Sequence, residues 1–265
     1  MPIELSENIR ALDQKAFGTI AYDVMEQAFH VHNRLGRFFD EEAYQQELAH
    51  VLQPRAVIEA GIMVKHADFC KPYSIDLLVD QGAIFELKTV SHLADEHRAQ
   101  LLNYLLLTGS SHGKLINFRP ERVEHEFVNT TLTRADRTAF EVDDSAWDNS
   151  VEQASEIRRL VEAFLRDWGT GLDLQLYVDA LTHFLGGEDR VVREIDIVSE
   201  GRCLSHQKVR LAGTPPCGAF KFTALSGSLE NFESHALRFL KHTDLKHSLW
   251  INVTLRTVTM KTLNK

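Results

Sequence analysis

Apolar residues recur every three or four positions through Ile20–Leu35 (Val24, Ala28, Val31, Leu35), the spacing of one helix face, and Gly36 follows as a stop signal. A second helix is predicted over Glu41–Val51, with Asp40 placed to cap it and Pro54 ending the region. Beyond Pro54 the pattern turns extended, with strands expected at 56–65, 73–79 (YSIDLLV) and 83–90 (AIFELKTV). Asp80-Gln81-Gly82 between the last two is a hairpin signal. Ala94–Leu107 returns to helical spacing, and 114–118 and 123–128 read as closing strands. The order α-α-β-β-β-α-β-β predicts an α/β fold with a mixed central sheet flanked by helices.

That pattern occurs twice. Gly36–Leu52 lies over Gly169–Leu185 without gaps, with Gly36/Gly169, Asp40/Asp173, Tyr44/Tyr177, Leu48/Leu181, His50/His183 and Leu52/Leu185 identical at an offset of 133. His97–Phe118 lies over Phe232–Val253 at an offset of 135, sharing Leu102/Leu237, Leu105/Leu240, Thr108/Thr243, His112/His247, Ile116/Ile251 and Asn117/Asn252. Shared patterning makes apolar positions coincide, but it does not explain matched Gly, Asp, Tyr, Thr and Asn. Two tandem units are therefore expected, 1–140 and 141–265, joined by the acidic, proline-free stretch Glu141–Val151 as a linker.

Composition narrows the class. A chain of 265 residues, 44% hydrophobic and 25% charged, can bury a core without metal or disulfide staples and is neither disordered nor fibrous. Three cysteines, Cys70, Cys203 and Cys217, are odd in number and form no Cys/His cluster with zinc spacing. With no long apolar run and no signal-peptide pattern, a cytoplasmic protein without a membrane partner is expected. The net charge of −9 argues against non-specific coating of nucleic acid. It divides unevenly, however: residues 1–140 carry 14 Lys+Arg against 20 Asp+Glu, residues 141–190 carry 4 against 12, and residues 191–265 carry 11 against 6.

The chemistry gathers at the predicted hairpin. On a strand, Glu86 and Lys88 point to one face while Phe85 and Leu87 point to the other, and Asp76 lies in the preceding apolar strand. A carboxylate and a lysine within a run of Ile, Phe, Leu and Val form either an ion pair on a solvated face or a hard-metal site. In the second reading Asp76 and Glu86 are oxygen ligands for Mg²⁺, and Lys88 stabilises charge or positions an attacking water.

The run Ser74-IDLLVDQGAIFELKTV, followed by Gln100-LLNYL and Leu115-INF, resembles the PD-(D/E)XK nuclease superfamily, in particular the bacterial GxxExxY proteins, whose ExxY is matched by Glu41 and Tyr44. The resemblance covers about residues 17–130 and implies a restriction-endonuclease-like core. It makes Glu41 the auxiliary acid, Asp76 and Glu86 the metal ligands, Lys88 the catalytic lysine, and Gln100 and Tyr104 residues lining the site. Ile75 stands where that pattern has proline. The implied activity is Mg²⁺- or Mn²⁺-dependent hydrolysis of phosphodiester bonds in nucleic acid, with DNA expected; the alternative is an inactive nucleic-acid-binding or protein-interaction module.

Along the repeat, Glu41 falls on Leu174, Glu86 on Lys221, Lys88 on Thr223, Gln100 on His235, and Asp76 near Arg210. The second unit is thus expected to be a degenerate, non-catalytic copy forming an intramolecular pseudo-dimer with the first, its basic segment 191–265 suited to phosphates. His30 and His32, two apart on a helix, do not face each other. Trp168, Trp250 and Phe232 are expected to pack rather than stack on bases.

Overall fold

The computed structural model describes residues 2–213 and 218–265, so Cys217 lies outside the described residues. The chain divides into two compact units, Met1–Arg134 and Ala135–Lys265. Each holds a six-stranded mixed sheet flanked by helices. Among the described residues no helix is long and apolar enough to cross a membrane.

The first unit runs β1 (Ile3–Leu5), α1 (Gln14–Leu35), α2 (Glu41–Val51), β2 (Ala56–His66), β3 (Phe69–Val79), β4 (Ala83–Lys88), α3 (Asp95–Thr108), β5 (His112–Asn117) and β6 (Glu124–Asn129), with its strands ordered β1 to β6 across the sheet. α1 begins earlier than the expected Ile20 because Asp13 accepts the Ala16 N–H at 2.8 Å and Phe17 and Ala21 extend the buried stripe. Asp40 holds the cap position of α2, yet its side chain makes no capping bond. Periodicity also missed β1, which is too short to show an alternation and pairs antiparallel with β2.

The turn between β3 and β4 places Asp80 and Gln81 at φ of 50° and 55°, with the Gly82 N–H on the Val79 carbonyl at 3.1 Å, a type I′ arrangement. Gly82 is required there by space: a Cβ would lie 2.7 Å from the Arg10 carbonyl oxygen. β4 and β5 run parallel through the α3 crossover, so β4 is central and all six of its residues are buried. Phe85 and Leu87 face a core built with Val24, Val31, Tyr44 and Leu48 of α1 and α2.

α4 (Arg134–Thr138) begins at the division, and the second unit continues through β7 (Glu141–Ala146), α5 (Ala154–Trp168), α6 (Leu174–Phe184), α7 (Glu188–Val191), β8 (Val192–Ser199), β9 (Arg202–Ala212), β10 (Gly218–Thr223), α8 (Leu229–Lys241), β11 (His247–Val253) and β12 (Thr257–Asn264). Its sheet order is β7-β12-β11-β10-β9-β8. The two units part after Arg134. One expectation is corrected here: the supposed linker is in part a strand, as β7 pairs parallel with β12. Its acids mislead because an edge strand can turn Glu141 and Asp143 outward while Val142 turns in.

β2–β6 and β8–β12 share the pattern antiparallel, antiparallel, parallel, antiparallel, with α3 and α8 as the crossovers. The equivalence reaches individual bonds. Tyr44 donates to the Gly36 carbonyl at 2.7 Å and Tyr177 to that of Gly169 at 2.5 Å. Asn117 brackets the backbone of Val90 at 3.0 and 2.8 Å, and Asn252 brackets that of Leu225 at 2.7 and 3.0 Å. Trp168 and Trp250 are fully buried, and Phe232 stacks on Trp250. Each tyrosine hydroxyl holds the turn into the following helix, so Tyr44→Phe and Tyr177→Phe are each expected to lower stability by about 1–2 kcal/mol in urea unfolding. No change in either would show that water replaces the bond.

Candidate active site

The β3–β4 ladder ends at the pair Leu77↔Phe85, so the strands part where Asp76 and Glu86 follow. Four of the six expected side chains converge in that opening. Lys88 Nζ lies 2.7 Å from Glu86 Oε1, 3.7 Å from Glu41 Oε1 and 3.8 Å from Asp76 Oδ2. Asp76 is oriented by the Leu87 N–H, which donates to its Oδ2 at 2.7 Å. The reading of Glu86 and Lys88 as an ion pair on a solvated face is overturned, because Glu86 is 0% exposed and Lys88 9%.

Burial sets the electrostatics. It pushes Glu86 up to about 8, helped by the neighbouring Asp76 charge. Burial also raises Asp76 against the opposing Leu87 amide and Lys88, and it raises Glu41. For Lys88 burial opposes the charge, but Glu86, Asp76 and Glu41 outweigh it and hold the ammonium above its ordinary value. Lys88 therefore keeps its proton, and the proton the carboxylates retain offsets their mutual repulsion.

Gln100 and Tyr104 lie one turn apart on α3, where Gln100 Nε2 donates to the Tyr104 hydroxyl at 3.1 Å. Among the described residues no hydrogen bond joins them to the other four. Burial pushes Tyr104 up to about 12, with the Glu86 and Asp76 charges adding to the effect, so it remains a hydrogen-bond donor.

Three residues belong to this neighbourhood without having been singled out in the sequence. Gln45 Nε2 donates to the Asp76 carbonyl at 2.9 Å and to Glu59 Oε1 at 2.6 Å. Its signal was available, since Gln45 follows Glu41 by four residues on α2 and shares its face. Glu59 had none: it sits between the pairs Ile58↔Leu77 and Ala60↔Ile75, opposite Asp76, at φ 53°, and also accepts a bond from Ser74 Oγ. A non-glycine residue in the left-handed region within a strand is backbone strain held at this site. Arg119 donates to the carbonyls of Thr89 and Arg37 at 3.2 and 3.0 Å, tying the turn before α2 to the end of β4. Gln45→Leu is expected to lower divalent-metal affinity about tenfold in calorimetry, because Asp76 loses a support.

The donor set suits a hard divalent cation. Three carboxylates would offer oxygen ligands, and Glu86 Oε2 is buried without a hydrogen-bond partner, an orphaned acceptor that a cation would satisfy. One further grouping lies in the second unit, without the zinc spacing that the sequence also lacks. Asp196, Cys203 and His206 have ligand atoms within 4.8 Å of one another, because Asp196 and His206 are cross-strand partners on β8 and β9. All three are exposed, and Asp196 and His206 already bond each other at 2.7 Å.

Residues 18–129 match the family described as the PD-(D/E)XK nuclease superfamily, a span that contains Glu41, Asp76, Glu86, Lys88, Gln100 and Tyr104. No curated protein matches the chain. A solved structure titled "Crystal structure of SSO0001" is similar at 19% identity over 36% of this chain and 52% of its own, with a TM-score of 0.29. The chain spans about half the length of that protein, and so loose a likeness carries no argument.

Proposed function

We propose that the first unit is a Mg²⁺- or Mn²⁺-dependent nuclease that hydrolyses phosphodiester bonds of nucleic acid, DNA foremost, and that the second unit is a catalytically silent copy of it. One observation carries this reading: three carboxylates meet a lysine where two central strands part, and one buried carboxylate oxygen is left without a donor.

Asp76 and Glu86, with Glu41 beside them, would hold the cation, which supplies Lewis acidity toward a phosphoryl oxygen and toward water. The chain's own groups do the rest. The Leu87 amide and the Gln45–Glu59 pair hold Asp76 in one orientation. Lys88, protonated and within 4 Å of three carboxylates, sets its charge against the negative charge that develops on the phosphorus. The water oxygen forms a bond to phosphorus, the bond to the leaving sugar oxygen breaks, and that oxygen takes up a proton, so no covalent enzyme intermediate is needed. Tyr104, kept protonated, presents a donor to the substrate from α3.

The second unit carries none of this set. The pairs Leu78↔Ile84 and Leu211↔Ala219 occupy like places in the two sheets, so Val209 stands at the Asp76 position, beside the Arg210 near which the sequence put it. Leu174, Lys221 and Thr223 stand at the positions of Glu41, Glu86 and Lys88.

The test is cleavage of double-stranded DNA, single-stranded DNA and RNA by the full chain, with Mg²⁺, with Mn²⁺ and with EDTA. Cleavage of at least one substrate that EDTA abolishes is expected. The reading fails if every substrate survives while calorimetry shows no divalent-metal binding.

A further inference from the structure

The second unit keeps a cleft at the place where the first carries its carboxylates, and the charge in it is reversed. A cavity of about 400 Å³ is bordered by Leu174, Lys221, His235 and Phe239, the positions of Glu41, Glu86, Gln100 and Tyr104 in the first unit. Lys208 and Arg210 of β9 join them, and among the described lining residues there is no Asp or Glu. Lys208, Arg210 and Lys221 thus border one cavity, with Glu194 facing Lys208 across β8 and β9 outside that lining. Arg210 Nε is buried and has no hydrogen-bond partner.

Such an arrangement is costly without a ligand. The buried Arg210 Nε without an acceptor carries its desolvation penalty, and the exposed Lys208 and Lys221 add positive potential at the cavity's border. An anion with several oxygen acceptors relieves both, and a guanidinium fork beside an ammonium suits phosphate. The cavity has more to offer than a phosphate needs. Its volume lies in the range of organic-ligand sites, and the wall formed by Val178, Phe232 and Phe239 is apolar and in part aromatic. The ligand is therefore an anion attached to a flat apolar body.

We propose that this cleft binds a nucleoside phosphate, free or as the end of a nucleic-acid strand, with the phosphate on Arg210 and Lys221 and the base against Phe232 and Phe239. The proposal does not depend on cleavage by the first unit, so it is tested in EDTA, where failure of one leaves the other standing. The probe is a short fluorescein-labelled, 5′-phosphorylated oligothymidine, added to the full chain at about 50 mM salt and followed by fluorescence anisotropy. Saturable binding is expected, weakened about tenfold by Arg210→Gln and by Lys221→Gln. Lys221 is exposed, so its replacement leaves folding intact, and circular dichroism checks this for both variants. Competition identifies the source: displacement by thymidine monophosphate marks a free nucleotide, and displacement only by unlabelled oligonucleotide marks a strand end. The proposal is overturned by the absence of saturable binding, by wild-type affinity in Lys221→Gln, or by unphosphorylated thymidine competing as well as its monophosphate.

Discussion

Glu86→Ala and Lys88→Ala are each expected to reduce metal-dependent cleavage by about 10²–10³-fold or more, while the melting profile stays that of a folded protein. Glu86 supplies a buried carboxylate that faces both the lysine and the place where the metal would sit, and its Oε2 has no other partner. Without it the proposed metal site would lose a charged ligand, and Lys88 loses its 2.7 Å contact. Lys88→Ala acts differently. It leaves three carboxylates close together without their cation, so metal affinity is expected to persist or to rise while turnover is lost. Calorimetry with Mn²⁺ beside single-turnover cleavage separates the two effects. Equal cleavage by wild type and both variants would remove these residues from the mechanism.

The second large effect is on stability in metal-free protein. Glu86 is raised from 4.5 to about 8, chiefly by burial and then by Asp76. Between those values the folded state binds more protons than the unfolded one, so stability declines as pH rises from about 4.5 to about 8. Glu86→Gln removes this group's contribution to the decline. In EDTA the variant is expected to match wild type near pH 5 and to exceed it by a few kcal/mol near pH 9. Denaturant unfolding at the two pH values checks this, and parallel pH profiles for wild type and variant would refute it. Under the proposed function the same substitution would give up stabilisation by the metal, the usual exchange between stability and function at a site of crowded charge.

The sequence by itself determined the order α-α-β-β-β-α-β-β that follows β1 in the first unit and the pairing of Glu86 with Lys88, and it pointed to the repeat. These depend on period and short spacing: an E-x-K on a strand must share a face, and an offset of 133–135 preserves registers such as Ile84↔Gly113 and Ala219↔Ser248. Local pattern also failed in identifiable ways. The acids of Glu141–Asp144 looked like a linker, although an edge strand can present charge to solvent on one side.

Only the tertiary structure decided what long-range contact creates. Glu59 and Gln45 reach Asp76 because β2 lies against β3 and α2 covers the point where β3 and β4 part. Arg119 reaches across 82 residues to hold the turn before α2. Lys208, Arg210 and Lys221 are separate cations in the sequence and come to border one cavity only when β9 and β10 pair. Burial is the common reason. Whether a carboxylate is a solvated charge or a strained ligand depends on how much water remains around it, and that is set by residues far away in the chain.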